Sequence, residues 1–111
     1  MEDRRIEPRI DTAFIVKCKV LPKRDKTFFT VINNLSTGGI KIFCDKSLPL
    51  GKNVDVNINL LQETAEAKAQ VVWCSKKKNY SGRYLVGLKF LEVNETNMHK
   101  LGNFINVIQS Y

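Results

Sequence analysis

Two short polar motifs carry the residue types best suited to chemistry: Arg4-Arg5-Ile6-Glu7-Pro8-Arg9 and Asn34-Leu35-Ser36-Thr37-Gly38-Gly39. A guanidinium is a planar fork of N–H donors that meets phosphate oxygens or the O6/N7 edge of guanine in pairs, and its face stacks on a base. An Asn-x-Ser turn followed by glycines offers short side-chain hydrogen bonds and a backbone that another group can approach closely. Together they describe a grip for an anionic, guanine-bearing ligand. Pro8 disfavours helix at Glu7, so the arginines ride on an extended or turning arm.

That grip has to be positioned by strands. Val54 to Leu60 alternates apolar and polar residues with period two, as a half-buried strand requires. Ala67, Ala69, Val71 and Trp73 continue the rhythm against Glu66, Lys68, Gln70 and Val72, which places Trp73 in the core. Thr12 to Leu21, Phe28 to Asn33, Gly39 to Cys44 and Arg83 to Leu91 complete about six strands, the pattern of a small sandwich or barrel. From Glu95 the period becomes helical. Met98, Leu101, Ile105 and Ile108 share a face with Phe104 beside them, and Asn94 is placed to cap, so residues 95–109 are expected to form one helix packed on the barrel. The alternative for that helix is a partner or dimer surface through Phe104, Val107 and Tyr111.

Composition sets the outer bounds. A chain of 111 residues, 43% hydrophobic and 26% charged, suits one globular core. No apolar run approaches a secretory or membrane-spanning length, so a cytoplasmic location is expected. The three cysteines, Cys18, Cys44 and Cys74, are widely spaced among strand residues and read as buried hydrophobes. With no Cys-x-x-Cys pair and a lone His99, no metal or cofactor is expected. Net charge is +7, which favours an anionic partner: a nucleotide, nucleic acid, an acidic membrane surface or an acidic protein. Lys23-Arg24-Asp25-Lys26 and Lys76-Lys77-Lys78 read as basic hairpin tips, solvated loop charge in the simplest view. Catalysis has no support: Ser36 lacks a nucleophile-elbow setting and no paired carboxylates stand out.

Arg5-x-x-x-Arg9 and Asn34-x-Ser36-x-x-Gly39, in that order with one strand between them, resemble the two signature motifs of the PilZ domain, a bacterial cyclic di-GMP receptor. The late segment Val86-Gly87-Leu88-Lys89-Phe90 is similar to that family's last barrel strand. The resemblance implies an all-β fold, a six-stranded antiparallel barrel over residues 12–91 with a C-terminal helix over 95–109, and a flexible ligand-binding arm over 1–11. It implies cyclic di-GMP binding through Arg4, Arg5, Arg9, Asn34, Ser36, Gly38 and Gly39, with the arm ordering over the ligand and one of the two glycines available for a positive φ. Arg4, the basic residue before the first motif arginine, resembles members that bind an intercalated pair, so two ligand molecules per chain are expected. Arg83 is a weaker candidate for a late arginine on the ligand. The resemblance also implies a signalling receptor with an unnamed downstream protein partner, not an enzyme. Two alternatives stand: a PilZ-like adaptor that binds no nucleotide, and a single-stranded nucleic-acid barrel, which would need exposed aromatics interleaved with lysines such as Phe28-Phe29 or Tyr80 and Tyr84.

Overall fold

A computed structural model describes residues 14–22, 26–76 and 82–109. Six strands form, β1 (Ile15–Val20), β2 (Thr27–Leu35), β3 (Gly39–Cys44), β4 (Asn53–Asn59), β5 (Thr64–Lys76) and β6 (Tyr84–Glu92), followed by the helix α1 (Glu95–Gln109). They close an antiparallel barrel in the order β1, β2, β3, β6, β5, β4, sealed where β1 pairs with β4. The expected fold class is therefore the observed one. Because β6 and β5 intervene between β3 and β4, residues 45–52 must cross one end of the barrel.

Alternation decides which side chains fill the interior. Val54, Val56 and Ile58 of β4 are buried, with Leu60 just beyond the strand, while Val16, Cys18 and Val20 of β1 and Ile40, Ile42 and Cys44 of β3 face them. On β5 the inward positions Ala65, Ala67 and Ala69 are small, which makes room for the branched side chains converging from the other walls of a narrow barrel. Burial pushes the thiols of Cys18 and Cys44 up to about 12, with weaker contributions from Cys44 on Cys18 and from Cys74 and Asp45 on Cys44. Neutral thiols at these positions behave as small apolar groups, as the sequence suggests.

The alternation in β5 fails at one place. The β5–β6 register shifts between Val71 and Trp73, so Val72 is an extra residue opposite the partner strand. A bulge of this kind reverses side-chain parity. Trp73, expected in the core, is instead turned to the outer wall and is 37% exposed, while Cys74 turns inward against the core cluster.

Asn94 caps α1 as expected: its Oδ1 accepts the Asn97 N–H at 2.8 Å and its carbonyl accepts the Met98 N–H at 2.9 Å. Leu101 is fully buried in the core, and Phe104 packs against the core and meets Phe14 edge to face at 5.0 Å. Met98, which the helical spacing places inward, is exposed instead, because the first turn of α1 lies beside β5 rather than over the barrel mouth. There α1 has a second task. β5 overhangs β6, whose last pairing is Glu92 with Lys68. The Glu66 N–H on this overhang is accepted by Asn97 Oδ1 at 3.1 Å, and the Thr64 carbonyl accepts from Lys100 Nζ at 3.0 Å. No helix among the described residues is long and apolar enough to cross a membrane.

Candidate functional site

The second motif is the turn between β2 and β3. The Ser36 N–H donates to the Gly39 carbonyl at 2.9 Å, and Ser36 Oγ accepts the Gly38 and Gly39 N–H groups at 3.2 Å each. The same hydroxyl donates to the Gly39 carbonyl at 3.4 Å. A serine hydroxyl has one donor and two lone pairs, so Ser36 spends its whole capacity inside the turn. Its visible role is to hold the loop in shape.

The glycines differ from the sequence reading. Positive φ occurs at Gly51 and Gly82 among the described glycines, and neither Gly38 nor Gly39 adopts it. Gly39 is required for another reason: a Cβ there would run into the backbone carbonyl of Leu88 on β6. Gly38 is sterically free, with its would-be Cβ 3.9 Å from Ser36 Oγ, and its carbonyl accepts the Phe90 N–H at 2.9 Å. The glycine pair thus draws β3 against β6 at the motif end of the barrel.

Asn34 follows a register shift between Ile32 and Asn34, and it pairs with Lys41. From there one outward row runs across four strands. Lys41 pairs with Gly87, and Gly87 pairs with Trp73. The indole lies against Gly87 so closely that a Cβ on Gly87 would collide with it, and Lys41 Nζ stands 5.8 Å from the ring centroid. The adjacent outward row holds Gly39, Lys89 and Gln70. The outer wall beside the turn therefore offers an exposed amide at Asn34, cations at Lys41 and Lys89, and a partly exposed aromatic plane at Trp73 over a floor kept flat by glycine. Such a wall can hydrogen-bond a base edge, neutralise phosphate and stack a planar ring.

Sequence reasoning missed Trp73, Lys41 and Lys89. The available signal was Gly87 in the middle of a strand, since glycine there marks close approach of another group, and an aromatic laid across a strand glycine is a recurring device of sheets. Arg4, Arg5 and Arg9 lie outside the described residues. The chain enters β1 at the barrel end that carries the Ser36 turn, because Ile15 pairs with Val31 late in β2 and the Phe14 carbonyl accepts the Ile32 N–H at 2.9 Å. Arg83 immediately precedes β6 at the opposite end, its guanidinium 4.6 Å from the Phe43 ring centroid, well removed from the turn. Of the aromatics that a nucleic-acid barrel would need, Phe29 is exposed across from Lys17, Phe28 is half-buried against the core, and Tyr80 lies outside the described residues. Among the described residues no group of His, Cys, Asp or Glu is arranged to hold a metal ion.

Comparison with known proteins agrees with this architecture. The PilZ domain family model matches residues 3–106. The PilZ domain of YcgR from Escherichia coli, solved with c-di-GMP, superposes with a TM-score of 0.72 at 17% identity, covering 98% of this chain and 93% of that one. The Bacillus subtilis inhibitor of motility, MotI/DgrA, superposes with a TM-score of 0.71 at 22% identity over 96% of this chain. This chain spans about half of that protein's length, 52%. No curated protein sequence matches the chain.

Proposed function

We propose that this chain, which belongs to the PilZ domain family, is a receptor for cyclic di-GMP that binds the dinucleotide on the outer wall of β2, β3, β6 and β5. The observation that carries the reading is the single outward row of Asn34, Lys41, Gly87 and Trp73 beside the Ser36 turn, at the end where the arginine-bearing residues join the barrel. Cyclic di-GMP presents two guanine planes and two phosphates, and the wall offers a partner for each class of group.

Arg5 and Arg9 supply guanidinium forks to phosphate oxygens or a guanine edge, with Arg4 serving the second molecule of an intercalated pair. Asn34 reads a base edge. Lys41 and Lys89 balance phosphate charge, and Trp73 stacks on an outer base, a contribution of about 1–3 kcal/mol for a base on an aromatic ring. Ser36, Gly38 and Gly39 keep the turn and the β3–β6 contact in the shape that presents Asn34. The arm gives up roughly 1–2 kcal/mol per residue it orders, so several charge-assisted contacts are required for net binding. The bound form then shows a protein partner a different surface, the receptor's output.

Isothermal titration of cyclic di-GMP into the protein tests this reading, beside Arg5→Ala, Arg9→Ala and Trp73→Ala. Saturable heat at two ligands per chain, abolished by either arginine variant and weakened about tenfold or more by Trp73→Ala, is expected. Saturation at one ligand would remove Arg4 and the paired arrangement. An absence of heat with folded protein would favour the non-binding adaptor.

A further inference from the structure

The strand directions sort the loops into two ends. The Ser36 turn, the β4–β5 turn and the entry to β1 share one end, while the close of β1, the start of β2, residues 45–52, the close of β5 and the start of β6 share the other. Charge is divided between them very unequally. Among the described residues the second end holds Lys26, Lys46, Lys52, Lys76 and Arg83 against Asp45 alone, whereas elsewhere lysines and carboxylates nearly balance. Among the described residues Lys26, Lys46 and Lys76 are exposed at this end and Lys52 is half-exposed.

The crossing loop places an apolar group in the middle of that charge. Leu48 turns inward and packs on the core cluster. Two residues later the chain makes a tight turn, closed by the Lys52 N–H donating to the Pro49 carbonyl at 3.2 Å, with Gly51 at φ +83°. Leu50 sits at the corner of this turn and is 69% exposed. Turn corners normally carry polar residues that bond their own backbone, and a leucine there gains nothing from the fold.

We infer that this end of the barrel docks peripherally on an anionic phospholipid bilayer, with Leu50 entering the interfacial layer and Lys26, Lys46 and Lys52 meeting headgroup phosphates. An apolar tip set among lysines is the chemistry that pairs electrostatic attraction with shallow burial at a charged membrane surface. Single-stranded nucleic acid fits less well. Among the described residues the aromatics near this end lie against cations, Tyr84 with the Lys76 ammonium at 5.4 Å and Phe43 with the Arg83 guanidinium at 4.6 Å, which competes with base stacking. Docking in this pose would hold the Ser36 turn on the side facing away from the bilayer. The inference does not depend on cyclic di-GMP binding.

Co-sedimentation of the full chain with vesicles tests it, using phosphatidylcholine alone and phosphatidylcholine with about one third phosphatidylglycerol. Binding to the anionic vesicles alone, falling steeply as salt is raised, is expected. The Lys26→Glu/Lys46→Glu pair should weaken it at least about tenfold and Leu50→Ser about fivefold. A pair with the same net charge on the β1–β5 side of the wall, Lys17→Glu/Lys68→Glu, should cost less than about threefold if position matters beyond charge. The inference is overturned by equal binding to both vesicles, by no binding, or by equal losses in the two lysine pairs. Failure on vesicles with tight oligonucleotide binding that Leu50→Ser leaves unchanged would reassign this end to nucleic acid.

Discussion

Replacing Gly39 with alanine should destabilise the barrel, whereas the same change at Gly38 should not. The new Cβ at Gly39 would meet the Leu88 carbonyl, a backbone atom that cannot rotate away, so β3 and β6 must separate locally. Overpacking of this kind costs about 1–3 kcal/mol, and straining the neighbouring bond from the Phe90 N–H to the Gly38 carbonyl adds about 1 kcal/mol. A total of about 3 kcal/mol reduces the folding constant roughly 150-fold and lowers Tm by about 13 °C in a domain of this size. Gly38→Ala meets only Ser36 Oγ at 3.9 Å and should be neutral or gain about 0.4–1 kcal/mol through the unfolded chain. Urea unfolding followed by the fluorescence of the single tryptophan, Trp73, reads both variants. If the two unfold within about 0.5 kcal/mol of each other, the steric argument is wrong. A Gly39→Ala protein of normal stability that fails to bind ligand would return this glycine to the role of admitting the ligand.

Leu61 is exposed at the β4–β5 turn with φ +81°, a conformation that asparagine adopts more readily, so Leu61→Asn should stabilise by about 0.5–1 kcal/mol in the same urea assay. Gly102 lies inside α1 and a Cβ there would meet nothing within 4 Å, so Gly102→Ala should add about 1 kcal/mol. Burial pushes Cys18 and Cys44 up to about 12 when folded from an ordinary 9.0, so the unfolded chain loses these protons first. Their contribution is intact below about pH 9 and is lost progressively toward pH 12, and a stability profile that rises with pH across this window would contradict it. In keeping with that burial, a chromogenic disulfide reagent at neutral pH should leave Cys18 and Cys44 unmodified in the folded protein and reach all three thiols in urea.

The parts of the fold governed by local rules were legible in the sequence. Strict alternation identified β4 and each of its inward residues, because one face of that strand is core and the other is water. The cap at Asn94 was legible because its hydrogen bond closes within three residues. What escaped the sequence depends on partners distant in the chain. Trp73 was assigned to the interior because the bulge that reverses it is defined only by pairing with β6. The reason for Gly39 lies at Leu88, and the row that joins Asn34 to Trp73 exists only once four strands are in register. The motif turn could be read as a turn, but the commitment of the Ser36 hydroxyl to that turn could not, since the residue type suits either use.

A barrel is usually valued for having no free margin, yet the overhang of β5 leaves a short one that two side chains of a helix conceal. This has a practical consequence for where the chain tolerates being shortened. Removal of residues after Lys100 would keep both concealing groups in the polypeptide, although it would discard Leu101 and Phe104. Removal from Asn97 onward would also discard Asn97 and Lys100, and would leave the Thr64 carbonyl and the Glu66 N–H as a bare template for another chain. The second kind of product is the one expected to precipitate, for a reason that a list of core residues would not reveal.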